Sequence, residues 1–282
     1  MIHACFSHDI DRIDKTYQYL TKPLKALKNR DFSLFLKRLT SPLFVKNPYW
    51  GFDRILEIES QHNIRSTCFF LIETIKPKIS SLKTWKLGLG RYDIHDKRIV
   101  EVIQQLDQGG WEIGLHGSFR SYNNSFLLKQ EKNKLEAILG HEVIGIRQHY
   151  LNFDETTWQI QSSLGFLYDS TWGMANSVGF KGDKVNPFFP IKDSLFCEIP
   201  LTIMDGPFSS TPDRWDVFFN IIDVIDKNDS FLVINYHNNN LDTLDFPGYL
   251  DDYVKMIKVL KEKGAKFMTL GQAYRYVVET KL

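Results

Sequence analysis

The chain has 282 residues, 43% of them hydrophobic and 14% aromatic, enough for one substantial core or two small ones. Lys and Arg number 35 against 34 Asp and Glu, so the net charge of +1 argues against a partner held by bulk charge, while leaving a local patch open. Gly (17) and Pro (10) stand near average, which excludes collagen-like and low-complexity classes, and no apolar run approaches the roughly 18 residues of a membrane span.

The first segment, Ile2–Phe6, reads as a short apolar strand that ends in Ser7-His8-Asp9-Ile10-Asp11. It lacks a basic region followed by an apolar run, so no signal peptide is expected and a cytoplasmic location is. Cys5, Cys68 and Cys197 have no CxxC spacing and apolar neighbours, and read as buried thiols of a reducing compartment. Residues 15–46 are helical in tendency and basic, with few interleaved aromatics. This reads as a solvated helical insertion, a lid or an oligomer contact, and not as a nucleic-acid site.

Phe52–His62 has helical periodicity, and Ser66–Ile72 is a continuous apolar run of the kind a strand covered on both faces shows. Asp96–Gln108 is an amphipathic helix stopped by Gly109-Gly110. Trp111–Leu115 reads as a strand opening into His116, Leu127–Leu139 as a helix, and Val143–Arg147 as a strand running into Gln148-His149-Tyr150. Thr156–Leu164 is a helix. Residues 174–213 form a long irregular stretch with a short strand near Phe196–Leu201. Arg214–Ile225 is a helix, Phe231–Tyr236 a strand leading to His237, Tyr249–Lys263 a helix and Lys266–Thr269 a last strand before a C-terminal helix. Repeated strand–helix units imply a parallel sheet with helices outside. Seven or so strands fit a (β/α) barrel better than an open sheet. In either, the loops after the strand ends carry the chemistry.

Polar residues collect at four of those ends: Asp9 and Asp11, His116, Arg147 and His149, and His237. Alternation puts Asp9 and Asp11 on one face of their strand, and likewise Arg147 with His149, and Asn235 with His237. The same alternation turns His8 away. His3, His62, His95 and His141 read as structural or exposed. One Asp after a strand is commonly a cap, and one His a satisfied structural group. Their coincidence at successive strand ends points to a site. Tyr122, Tyr150 and Trp172 lie in loops on the same rim, where they stack on a sugar ring or plug the rim. Two carboxylates, several His and one Arg suit metal-assisted hydrolysis, with a metal-activated water, a carboxylate base and a His acid. No GxSxG, GxGxxG after a strand or P-loop is present.

The ordered set Phe-Ser-His-Asp-Ile-Asp (6–11), Ser-Thr-Cys-Phe-Phe-Leu (66–71), Trp-Glu-Ile-Gly-Leu-His-Gly-Ser (111–118), Gly-Ile-Arg-Gln-His-Tyr (145–150), Tyr-Asp-Ser-Thr (168–171) and Ile-Asn-Tyr-His (234–237) resembles the polysaccharide deacetylase (NodB-homology, carbohydrate esterase family 4-like) family. In particular it resembles the cytoplasmic branch associated with bacterial surface-polysaccharide biosynthesis, O-antigen or capsule. The resemblance spans nearly the whole chain apart from 15–46 and 174–213. It implies a single domain over 1–282, an α/β distorted (β/α)7 barrel, and a divalent metal, usually zinc. The implied reaction removes an N-acetyl, or other acyl, group from a sugar, here a nucleotide sugar or lipid-linked precursor. By resemblance, Asp9 is the base, Asp11 and His116 are metal ligands, Arg147 braces the base and His237 is the acid that protonates the leaving amine.

One position departs from the pattern. The family's second motif usually has two His four apart, and here Arg120 stands four after His116. His149 shares a strand face with Arg147 and is the expected replacement ligand. Two rivals remain: a barrel that binds carbohydrate without turnover, because a cation at a ligand position repels a metal, and an amidohydrolase for a non-sugar amide.

Overall fold

In the computed structural model, which describes residues 1–78 and 80–281, the strands form one curled sheet. They are β1 (His3–Ile10), β2 (Thr67–Leu71), β3 (Glu112–Gly117), β4 (Gly145–Gln148), β5 (Tyr168–Asp169), β6 (Cys197–Glu198), β7 (Ile203–Met204), β8 (Phe231–His237) and β9 (Lys266–Phe267). The order is β6-β5-β4-β3-β2-β1-β8-β7, with every pair parallel. β9 pairs with the first residues of β1, and β2 with its last four. The terminal strands β6 and β7 are joined by only residues 199–202, so the sheet curls almost onto itself. This is a distorted α/β barrel, as the strand–helix alternation implies.

Two strands beyond the expected seven are present, β5 and β7, each of two residues and so too short to carry a period, while β6 and β9 fall within the short strands expected near Phe196–Leu201 and at Lys266–Thr269. Other boundaries shift by a few residues. The strand expected over Trp111–Leu115 runs over Glu112–Gly117, so His116 lies in the strand and not after it. The stretch 174–213, expected to hold one short strand, contains β6, β7 and a helix at Asp205–Ser210.

Alternation along β1 builds the two sides of the wall. Ala4, Phe6 and Ile10 pack outward under the helices, while Cys5 faces an interior cluster with Phe69, Tyr168 and Val233. Full burial of Phe6, Ile10, Phe69 and Val233 stabilises by about 1.5–3 kcal/mol each. Leu270, Ala273 and Tyr274 of the last helix join the interior cluster and plug the barrel at the end where the strands begin. The interior is therefore apolar at one end and polar at the other. Cys5, Cys68 and Cys197 are all buried, as expected.

Segment 15–46 holds two helices, Gln18–Lys28 and Phe32–Thr40, joined by a turn at 29–31. It is tied to the body by ion pairs. Lys15 Nζ lies 2.7 Å and Arg38 Nε 3.0 Å from the two oxygens of Asp245, and Tyr49 donates to the same carboxylate at 2.9 Å. Asp245 follows His237 in the chain, so the two helices stand on the rim that carries the polar strand ends.

Candidate active site

The interior face of β1 continues from Cys5 through Ser7 to Asp9. Register sets Asp9 level with His237 on β8, and His116 level with Arg147 on β4. Arg147 is wholly buried. Its Nη1 donates to Asp9 Oδ1 at 3.0 Å, Ser7 Oγ at 2.8 Å and Asn235 Oδ1 at 2.7 Å, while Nε and Nη2 donate to Ser170 at 2.9 and 3.0 Å. Its plane lies over Phe69, 4.6 Å from the ring centre. Asn235 Nδ2 donates to the other Asp9 oxygen at 2.9 Å. Burial opposes the charge of Asp9, but His116, Arg147 and His237 outweigh it and hold the carboxyl below its ordinary pKa. Asp9 is held ionised, with both oxygens oriented.

Asp11 and the two histidines form the second group. Asp11 Oδ1 lies 3.4 Å from His116 Nε2, and Asp11 Oδ2 lies 3.3 Å from His149 Nε2. One donor atom from each of the three falls within 4.8 Å of the others. The His116 Nδ1–H donates to the Arg147 carbonyl at 2.9 Å, which leaves Nε2 as a bare acceptor aimed at a carboxylate. Burial keeps the ring neutral, with its pKa lowered to about 4. Asp11 Oδ1 is buried without a hydrogen-bond donor. Two acceptors facing each other are satisfied by a cation, so this donor set fits a divalent metal. His149 is set by a sharp turn, with Tyr150 at φ 62° and Leu151 at φ 53°. Left-handed backbone at non-glycine residues costs about 1–2 kcal/mol each and is typical of functional sites.

Arg120, at the position of the family's second His, is exposed and is not among the residues lining the cleft. The expectation that it repels a metal gives way to a different cation. Arg91 Nη1 lies 3.2 Å from Asp11 Oδ2, and Arg91 Nη2 lies 3.1 Å from His149 Nε2. Nothing in the sequence around Arg91 marks it, because it lies in a loop outside any strand pattern.

His237 forms the third group, with Asp205. The backbone N–H of His237 donates to Asp205 Oδ2 at 2.8 Å, and its ring Nδ1–H to Oδ1 at 3.0 Å. Asn240 Nδ2 donates to Oδ2 at 2.8 Å. Burial alone would lower the pKa of His237, but Asp205, with help from Asp11 and Asp9, raises it to about 10. The ring is a held imidazolium with Nε2 as its second donor. Asp205 was not legible in the sequence, since β7 before it is two residues long.

Asp9, Asp11, His116, His149, Tyr150 and His237 line one cleft of about 290 Å³. Tyr150 is half exposed at its edge. Tyr122 and Trp172 do not line it. Trp172 packs with Phe153, Trp158 and Phe188, and its Nε1 donates to the Lys181 carbonyl at 3.1 Å. His8 faces outward, 2.9 Å from buried Glu59, as alternation requires.

No family model and no curated protein matches the sequence. Solved structures do match in shape. A Mycobacterium smegmatis protein described as a polysaccharide deacetylase superposes with a TM-score of 0.61 at 18% identity, covering 100% of this chain and 91% of that one. The chain has the polysaccharide deacetylase fold. A Pseudomonas aeruginosa PAO1 protein described in the same way gives 0.59 at 15% identity, over 97% and 90% of the two chains. The PuuE allantoinase gives 0.60 at 16% identity, over 97% and 89%. At these identities the likeness carries the fold, and the site stands on its own geometry.

Proposed function

We propose that the chain is a metal-dependent hydrolase that removes an N-acyl group, in the first place N-acetyl, from a sugar. The carrying observation is that a braced carboxylate, an Asp-His-His donor set and a protonated His line one cleft of about 290 Å³. Asp11, His116 and His149 would hold a divalent cation, and the N and O donors suit zinc. When bound, the cation supplies a Lewis acid and lowers the pKa of water to about 7. Asp9 takes a proton from the attacking water, and Arg147 keeps it ionised and aimed. His237 gives a proton to the departing amine, and Asp205 fixes the ring and its charge. Tyr150 at the edge offers a ring to the sugar. The deacetylase fold favours a carbohydrate substrate, and we assign it to surface-polysaccharide precursors handled inside the cell.

The test is acetate release from N-acetylated sugars with and without chelator, beside metal analysis of wild type and His149→Ala. Chelator-sensitive release, lost with metal in the variant, supports the assignment. Full occupancy and activity in the variant would remove His149 from it. Two observations favour other readings. Arg91 within the donor set favours a barrel that binds sugar without turnover, and bound sugar with no acetate released would establish that. The shared fold with an allantoinase favours a non-sugar amide, and turnover of such an amide without sugar binding would establish that.

A further inference from the structure

Amphipathic helices in a folded protein turn their apolar stripe to the core. The two helices at Gln18–Lys28 and Phe32–Thr40 do the reverse. The buried residues of the first are Gln18, Pro23 and Ala26, and of the second Arg38 alone. Leu20, Leu24 and Leu27 are exposed at i, i+4 and i+7, as are Phe32, Leu36 and Leu39. Leu24 is 60%, Leu36 57% and, just beyond the second helix, Phe44 82% exposed. Nine of the seventeen exposed large hydrophobic residues among those described lie between 20 and 45. Contiguous exposed apolar surface of this kind marks an interaction site.

Charge decides what it meets. Residues 15–46 carry eight Lys and Arg and one acid, Asp31, in a chain whose net charge is +1. Lys15 and Arg38 are spent on Asp245. Lys25, Lys28, Arg30, Lys37 and Lys46 are exposed between the apolar stripes. A second copy of this chain would bring like charges together, which disfavours self-association. Leu and Phe interleaved with Lys on a short amphipathic element suit the interface of an anionic bilayer. No helix of the described residues is long and apolar enough to cross a membrane, so such contact lies in the interface plane. The first helix begins seven residues after Asp11, in the connection that follows the C-terminal end of β1.

We propose that helices 18–28 and 32–40, with residues 43–45, seat the protein on an anionic lipid surface beside the mouth of the cleft. This surface would bring a lipid-linked substrate to the site, but its lipid contact does not depend on the hydrolase reading and is measured without turnover.

The experiment is sedimentation of the full chain with vesicles of phosphatidylcholine alone or with about 30% phosphatidylglycerol, at about 0.1 and 0.5 M salt. Expected is binding to the anionic vesicles that weakens at high salt and falls about tenfold or more in Leu24→Glu/Leu36→Glu/Phe44→Glu. Lys25→Ala/Lys28→Ala/Lys37→Ala should weaken it as well. These side chains are exposed, so both variants should keep the wild-type melting curve. As a second measurement, Leu24→Cys carries a polarity-sensitive dye, the native cysteines being buried, and its emission should shift to the blue on anionic vesicles. No binding to anionic vesicles, equal binding to neutral ones, or a concentration-dependent dimer abolished by the Glu variant would each overturn the proposal.

Discussion

Asp205 Oδ1 receives the ring Nδ1–H of His237 at 3.0 Å, and this one contact sets both the charge and the orientation of the proposed acid. His237 is raised from the ordinary 6.5 to about 10. A raised pKa means that the pair's stabilisation is complete below about pH 6.5 and lost as pH rises toward 10. In Asp205→Asn the alkaline limb of kcat should move down toward 6.5, and the loss of melting temperature between pH 7 and 10 should shrink. A pH–rate profile and thermal melts across that range read both. An unmoved limb would separate Asp205 from the chemistry.

Arg147 should be the costliest polar residue of the site to remove. Arg147→Met leaves the Asp9 charge buried without its cation, at about 3–5 kcal/mol by urea unfolding. Arg147→Lys should recover part of this, since an ammonium lacks the planar fork that reaches Asp9, Asn235 and Ser170 together. The Asp9 pKa is depressed, so its contribution is present above the ordinary 3.8 and lost as pH falls through the lower folded value. In the Met variant the acid limb of activity should move up.

Metal affinity should respond in opposite directions to two substitutions. His149→Ala removes a donor and should weaken zinc binding at least about tenfold. Arg91→Met removes a cation that lies 3.2 Å from Asp11 Oδ2 and 3.1 Å from His149 Nε2, and should strengthen it, with a tenfold gain corresponding to about 1.4 kcal/mol. Titration calorimetry on the metal-stripped protein measures both. Equal weakening in the two would mean that Arg91 supports the site and does not compete for it.

Gly145 should not tolerate a side chain, although it lies outside the cleft. A Cβ there would sit 2.1 Å from the hydroxyl of Tyr168, which is anchored to Glu112 at 2.8 Å. Gly145→Ala forces that ring or β4 to move, at about 1–3 kcal/mol. Because Arg147 and His149 follow on from the same strand, the variant should lose activity as well as stability. Denaturant midpoints and acetate release test the pairing of the two losses.

The local pattern along the chain already contained the architecture and half of the site. Long apolar runs such as Thr67–Leu71 specify strands, and alternation specifies the faces of Asp9 and Arg147 within them, because side-chain direction follows from backbone geometry. Asp11 and His149 lie one residue beyond β1 and β4, and the turn at Tyr150 and Leu151 sets His149. Strand ends then carry Asp9, Asp11, His116, Arg147, His149 and His237 to one rim. Partners on irregular backbone leave no such trace. Asp205 and Arg91 reach the cleft residues His237 and Asp11 only because the barrel brings distant segments together, and Arg120 is exposed and does not line the cleft although its sequence position suggests a ligand. The outward Leu and Phe of residues 20–44 were hidden for a related reason. Periodicity shows that a helix has two faces, and only the body it packs against decides which of them meets water.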